Sequence, residues 1–314
     1  MPHTCVAAFP GNACARLLLF LSMMTPGIFG AGADWVKTSW QGEDAWMATQ
    51  GAVRAVVTEA RSRLIYIGSS DGACNLLNAP VPREPATAAN PSPNQGGHRF
   101  WLGPQRRWIW PPLSEWEYSP AAGVSAAGAL LTVVQMRKNP EYPAVTREYA
   151  WEGGRLRCTA RWRDDGRPYF GIHVVPVDVP FAVTARLVKW DEVPDGAVAA
   201  KMDGREPALA LPHPSISVTG DLGTVSSGHK TVKVGFSPQA LTIARPGGWT
   251  LSVQPGPWEG VALGSPDHGY LSQVWVGSPK DRLAELEQLT PYLRGDANGI
   301  CSSTIYIEAT PPGR

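Results

Sequence analysis

Glu148-Tyr149-Ala150-Trp151-Glu152-Gly153-Gly154-Arg155-Leu156-Arg157-Cys158-Thr159-Ala160-Arg161-Trp162 reads as a strand, a tight turn and a second strand. Successive side chains of a strand point to opposite faces. Leu156, Cys158, Ala160 and Trp162 therefore share one face, and Arg155, Arg157, Thr159 and Arg161 share the other. One face is dry and the other wet. The Gly153-Gly154 pair frees the backbone for the turn between them. The arginines read as a solvated face rather than as a site.

Outward from this hairpin the same texture continues. Short runs rich in valine, isoleucine, threonine and aromatics alternate with Gly, Pro, Asp and Asn, which predicts antiparallel strands. The runs are 52–58, 63–68, 130–136, 145–151, 155–162, 169–177, 182–188, 231–236, 240–244, 249–253, 270–276 and 303–308. The segment 281–288 fits a helical turn or a strand equally. About a dozen strands on one chain must hide their faces in stacked sheets or a barrel. Their uneven lengths and the lack of a propeller repeat favour a sandwich. The predicted fold class is all-β, as one antiparallel β-sandwich domain over 34–314.

The 314 residues begin with a segment of different character. Arg16 precedes the apolar run Leu17 to Met24, and Ala31-Gly32-Ala33 supplies a small-x-small cleavage pattern. A signal peptide over 1–33, cut before Asp34, is the expectation, with export to the periplasm or beyond. The apolar run is too short to cross a hydrocarbon layer of roughly 30 Å as a helix. Without it 281 residues remain, and the 28 basic and 27 acidic side chains become equal once Arg16 is gone. A balanced charge excludes a phosphate-backbone partner, which needs a basic surface. No polybasic run points to an anionic membrane. Cys74, Cys158 and Cys301 are three, far apart, and read as unpaired or as one bridge plus a thiol. The five remaining histidines lie far apart along the chain, so no local metal-ligand pair is present and no metal or cofactor is expected.

The densest aromatic stretch runs from Gln95 to Pro112 and holds Trp101, Trp108 and Trp110 beside His98 and three arginines. It follows a proline-rich segment over 78–94. Gly96-Gly97 and Pro111-Pro112 suggest a stiff loop rather than a strand. Indoles on such a loop offer apolar area and an N–H donor to a sugar ring, or else form a satellite core.

Over 145–177 the order of features resembles that of galactose mutarotase and its relatives. Arg147-Glu148-Tyr149-Ala150-Trp151, the Glu152-Gly153-Gly154 turn, the polar 163–168 loop and Tyr169-Phe170-Gly171-Ile172-His173 follow in the same sequence, although the histidine here comes after Tyr-Phe and in the family before it. Gly96-Gly97-His98-Arg99-Phe100-Trp101, Gly103-Pro104-Gln105, Trp110-Pro111-Pro112 and Gly248-Trp249 after Lys233-Val234-Gly235 look closer to a bacterial branch of that superfamily with no assigned function. Leu283 to Pro291 and Ser302 to Ile307 resemble the family's last two strands, the first of which carries a carboxylate.

The resemblance implies a β-supersandwich of the galactose mutarotase type that binds an aldose or glycan as a monomer. It also implies aldose 1-epimerase chemistry. One group protonates the ring oxygen while another removes the anomeric proton, and a histidine and a carboxylate suit those tasks. By resemblance His173 is the acid and Glu285 or Glu287 the base. His98, Arg99, Trp101, Gln105 and Trp110 would contact the sugar. A histidine among Ile172, Val174 and Val175 equally fits a buried sheet position. The rival reading is a non-catalytic sugar-binding or structural module on the same fold. A partner domain of a polysaccharide lyase or hydrolase is a third, which the lack of a helical domain makes weaker.

Overall fold

The computed structural model describes residues 32–80, 95–108, 111–189, 196–200, 214–227, 231–266, 269–277 and 282–313. Among them nearly all regular structure is antiparallel strand. Val36–Trp40, Glu43–Gln50, Val53–Thr58 and Arg63–Ser69 form a four-stranded meander. A six-stranded sheet runs Ala197–Ala200, Val232–Phe236, Ser272–Val276, Leu283–Leu289, Phe170–Asp178, Arg99–Gly103. A ten-stranded sheet extends from Ile216–Thr219 to Ala121–Ala127, with Thr250–Glu259, Ile300–Thr310, Arg155–Arg163 and Val145–Glu152 at its centre.

The opening hairpin forms as its alternation requires. Glu152 pairs with Arg155 across Gly153 and Gly154, whose φ values of 57° and 84° fit a two-residue turn of mirror-image type. Leu156, Cys158, Ala160 and Trp162 are buried, while Arg155, Arg157 and Arg161 keep solvent contact. Leu283–Leu289 resolves the ambiguous segment as a strand.

The main core lies between the two large sheets. Val175, Val177, Val274 and Leu286 of the six-stranded sheet meet Val133, Leu156, Leu251 and Ile307 of the ten-stranded one. Burying two apolar sheet faces against each other is the driving force for this class of domain. The meander adds Val57, Leu64 and Ile67 to the same core.

Two expectations need correction. The Trp101 stretch is not a loop, because Arg99–Gly103 is a fully buried strand at one edge of the six-stranded sheet. The glycine pair turns the chain immediately before it, with φ of 60° at Gly96 and 69° at Gly97. Sequence also missed the strands 36–40, 43–50, 121–127, 197–200, 216–219, 222–226, 261–262 and 293–294 and the one-turn helix Ser114–Glu117. Cys74, Cys158 and Cys301 are all free. Most of the 78–94 segment, and Trp110, lie outside the described residues. No described helix is long and apolar enough to cross a membrane.

Candidate functional site

Register decides which face of the six-stranded sheet each candidate occupies. Partners directly opposite in an antiparallel pair point to the same side, and neighbours along a strand to opposite sides. His173 pairs with Phe100 and Gln288, on the face that meets the core. Val174 pairs with Arg99 and Glu287, and Pro176 with Glu285, so those side chains leave from the other face. Glu287 pairs in turn with Gln273, and Glu285 with Trp275, which faces Lys233. Trp101 joins the same outer face through Ile172.

His98 and His173 therefore lie on the core side. They are 2 % and 0 % exposed, with parallel rings whose centroids are 5.2 Å apart. His173 Nε2 sits 3.1 Å from the Ser303 carbonyl oxygen, which only accepts, so Nε2 carries the proton. The bare Nδ1 of His173 then accepts from His98 Nε2–H at 2.9 Å. That leaves His98 Nδ1 bare, buried and without a bond. Burial drives the His173 imidazole down to about 3, against a partial rescue by the Ser303 carbonyl. Burial, the His173 ring, Arg147 and Arg63 hold His98 well below the ordinary histidine range. Both rings are neutral at pH 7.

The structure does not bring together the expected couple of His173 as acid and Glu285 or Glu287 as base. The two kinds of group stand on opposite faces of one sheet, and the single proton of His173 is held by a backbone carbonyl. His98 lies with His173 on the core side, away from both glutamates. Its place behind Gly96-Gly97 is set by packing: a Cβ on Gly97 would lie 2.4 Å from the Leu64 carbonyl oxygen, which accepts the His98 backbone N–H.

The outer face carries a charged network. Arg99 Nη1 donates to Glu285 Oε1 at 2.7 Å, and its Nε lies 3.9 Å from Glu117 Oε2. Arg63, fully buried, donates to the same Glu117 oxygen at 3.2 Å, and Trp101 Nε1 donates to Glu117 Oε1 at 2.6 Å. Burial pushes the Glu117 carboxyl up, but Arg63 and Arg99 outweigh it and hold it below the usual carboxylate range. Burial pushes Arg63 down to about 10 despite Glu117. Farther along the face Lys233 Nζ donates to Glu287 Oε2 at 2.8 Å. Glu285 behaves differently from Glu117. Burial raises it, Arg99 opposes the rise, and the neighbouring Glu287 adds to it.

Trp101 is a packed residue within this network. Its ring meets Trp108 edge-on at 6.0 Å, Trp108 meets Trp116, and Trp116 meets Tyr142, as a satellite core. Gln105 is exposed on the short turn Gln105–Arg107 beyond the strand. The aromatic on this face that keeps solvent contact beside the glutamates is Trp275. Its ring is half-buried on the outer face opposite Glu285, and its indole N–H has no partner among the described residues. Glu285 Oε2 and Glu287 Oε1 also take no bond from a described residue.

Arg63, Glu117, Lys233, Gln273 and Trp275 are the members that sequence reasoning missed. The alternation Gln273-Val274-Trp275-Val276, read as one core face and one polar face, carries the signal for two of them. Among the described residues no group of three or more His, Cys, Asp or Glu side chains is arranged to hold a metal ion.

No family model and no curated protein matches the chain. Solved structures do. The YeaD protein of Salmonella typhimurium superposes with a TM-score of 0.56 at 11 % identity, covering 88 % of this chain and 94 % of its own. A galactose mutarotase-like protein of Lactobacillus casei gives 0.53 at 11 %, covering 85 % and 100 %. A galactose mutarotase related enzyme of Lactobacillus acidophilus gives 0.51 at 8 %, covering 86 % and 99 %. The fold is the galactose mutarotase-like β-sandwich.

Proposed function

We propose that the chain is an exported carbohydrate-binding protein whose sugar seats on the outer face of the six-stranded sheet, against Trp275. One observation carries the reading. A half-buried indole whose N–H has no partner among the described residues lies directly across from Glu285, which shares its face with Glu287, and each carboxylate has one oxygen held by a protein cation and the other without a bond from a described residue. An apolar ring face flanked by acceptors suits a pyranose, which has an apolar face and a rim of hydroxyl donors. The fold supports the same class of ligand by analogy. Export rests on the Leu17 to Met24 run and the Ala31-Gly32-Ala33 pattern. Saturation-transfer NMR against common hexoses tests the binding. Sugar signals should vanish with Trp275→Ala, and wild-type protein that saturates no sugar defeats the reading.

A second reading, aldose 1-epimerase, is favoured by the unlike surroundings of the two glutamates. A carboxyl raised by burial, as Glu285 is, suits the acid role. Glu285, desolvated and beside a second carboxylate, would protonate the ring oxygen as the C1–O bond breaks. Glu287 would take the anomeric hydroxyl proton as the aldehyde forms. After rotation about C1–C2 the transfers reverse. Proton NMR of freshly dissolved aldoses tests this. Equilibration no faster than in buffer leaves the non-catalytic module.

A further inference from the structure

Among the described residues Arg63, Arg99 and Lys233 stand against Glu117, Glu285 and Glu287, equal in number but not evenly placed. Arg63 and Arg99 both converge on Glu117, so Arg99 is shared between Glu117 and Glu285. The third cation, Lys233, is 30 % exposed and partly screened by water. The strand Leu283–Leu289 thus presents two carboxylates, side by side on one face, to a shared arginine and a hydrated lysine. Glu285 and Glu287 are two residues apart, about 6.6 Å along a strand, close enough for both side chains to reach one small group between them. Glu287 is 4 % exposed and Glu285 8 %, so bulk water screens both charges only weakly.

We infer that the sugar taken by this face is an amino sugar with a free ammonium, such as a 2-amino-2-deoxyaldose, held between Glu285 Oε2 and Glu287 Oε1 with its ring on Trp275. The inference rests on the sugar-binding reading and names its substrate class. An ammonium has three donors and no acceptor, which matches two unbonded carboxylate oxygens. Among the described residues no third acidic, His or Cys side chain joins the two carboxylates in a group that could hold a metal ion. A uronate or sugar phosphate in this place would set its negative charge against the two carboxylate oxygens that the ammonium would meet.

The test is isothermal titration of the full secreted chain with glucosamine, N-acetylglucosamine, glucose and glucuronate at pH 7 and low salt. The free amine should bind at least tenfold tighter than its acetylated form, with the preference shrinking at 0.5 M salt, and glucuronate should bind weakest. Glu285→Gln and Glu287→Gln should each weaken glucosamine binding by a larger factor than glucose binding, so that the ratio of the two affinities falls towards one. The wild-type comparison stands even if a variant fails to fold. Equal affinity for the amine and its N-acetyl form, or tightest binding of glucuronate, overturns the amino-sugar assignment alone. Absence of binding by all four, with the hexose NMR also silent, overturns the sugar site with it.

Discussion

His98 Nε2 lies 2.9 Å from His173 Nδ1, and the Ser303 carbonyl at the far end of the pair fixes the direction of both protons. A carbonyl cannot donate, so the tautomers are dictated rather than chosen. Two imidazoles that look catalytic in the sequence are in this way a neutral strut between the six- and ten-stranded sheets.

The strut makes a pH prediction. Both folded-state values are depressed, His173 to about 3 and His98 well below normal, whereas an unfolded histidine titrates near 6.5. The unfolded chain therefore binds more protons below that value, and the folded state loses stability as pH falls from about 6.5 towards 3. Urea midpoints should drop across that window. Nitrogen-15 NMR should show both rings neutral and non-titrating between pH 5 and 8. A histidine at position 98 or 173 that titrates near 6.5 would contradict the buried arrangement.

Trp101 and Trp275 separate packing from recognition. Trp101 is 6 % exposed and spends its N–H on Glu117, so Trp101→Ala should cost about 3–5 kcal/mol as a buried aromatic truncation. Trp275→Ala, at a half-buried ring without a partner for its N–H, should cost less and remove sugar binding. Denaturant unfolding and saturation-transfer NMR on the two variants read the two effects. The reverse pattern would return recognition to the Trp101 strand.

The fold was far more legible than the site. Alternation at Leu156, Cys158, Ala160 and Trp162 needs only a dry and a wet face, and that local signal survived folding intact. Arg99–Gly103 defeated the same method because both of its faces are covered, by the core at Phe100 and Leu102 and by the ionic network at Arg99 and Trp101. A strand buried on both sides has no alternation to read. The relation between His173 and the glutamates was hidden for another reason. Whether residues from distant segments share a face depends on register, and a shift of one residue moves every side chain to the other side. Glu117 was invisible because its partners, Arg63 and Trp101, come from two other elements.

Glu117 links Arg63, Arg99 and Trp101, so its removal should be felt widely. Glu117→Gln leaves two buried guanidinium groups facing a neutral amide. Breaking a buried pair by neutralising one partner costs about 3–5 kcal/mol. Burial already pushes Arg63 down to about 10, which marks how poorly its charge is solvated without that carboxylate. Chemical denaturation should report a loss of that size. A loss below about 1 kcal/mol would mean that the network is solvated like a surface pair.

Gly97 gives the sharpest test of how the strand 99–103 is placed. Its φ of 69° is costly for any residue with a Cβ, and an added Cβ would meet the Leu64 carbonyl oxygen at 2.4 Å. That oxygen also accepts the His98 backbone N–H at 2.8 Å, so it cannot retreat without breaking the bond that seats His98. Gly97→Ala should therefore destabilise by about 1–3 kcal/mol from backbone strain, with the clash adding to it. Gly153→Ala supplies the control. Its φ of 57° is also positive, but nothing lies within 4 Å of its Cβ position, so strain acts there alone. Gly97→Ala should lower the melting temperature more than Gly153→Ala does. Equal shifts would show that the close approach at Leu64 relaxes at no cost.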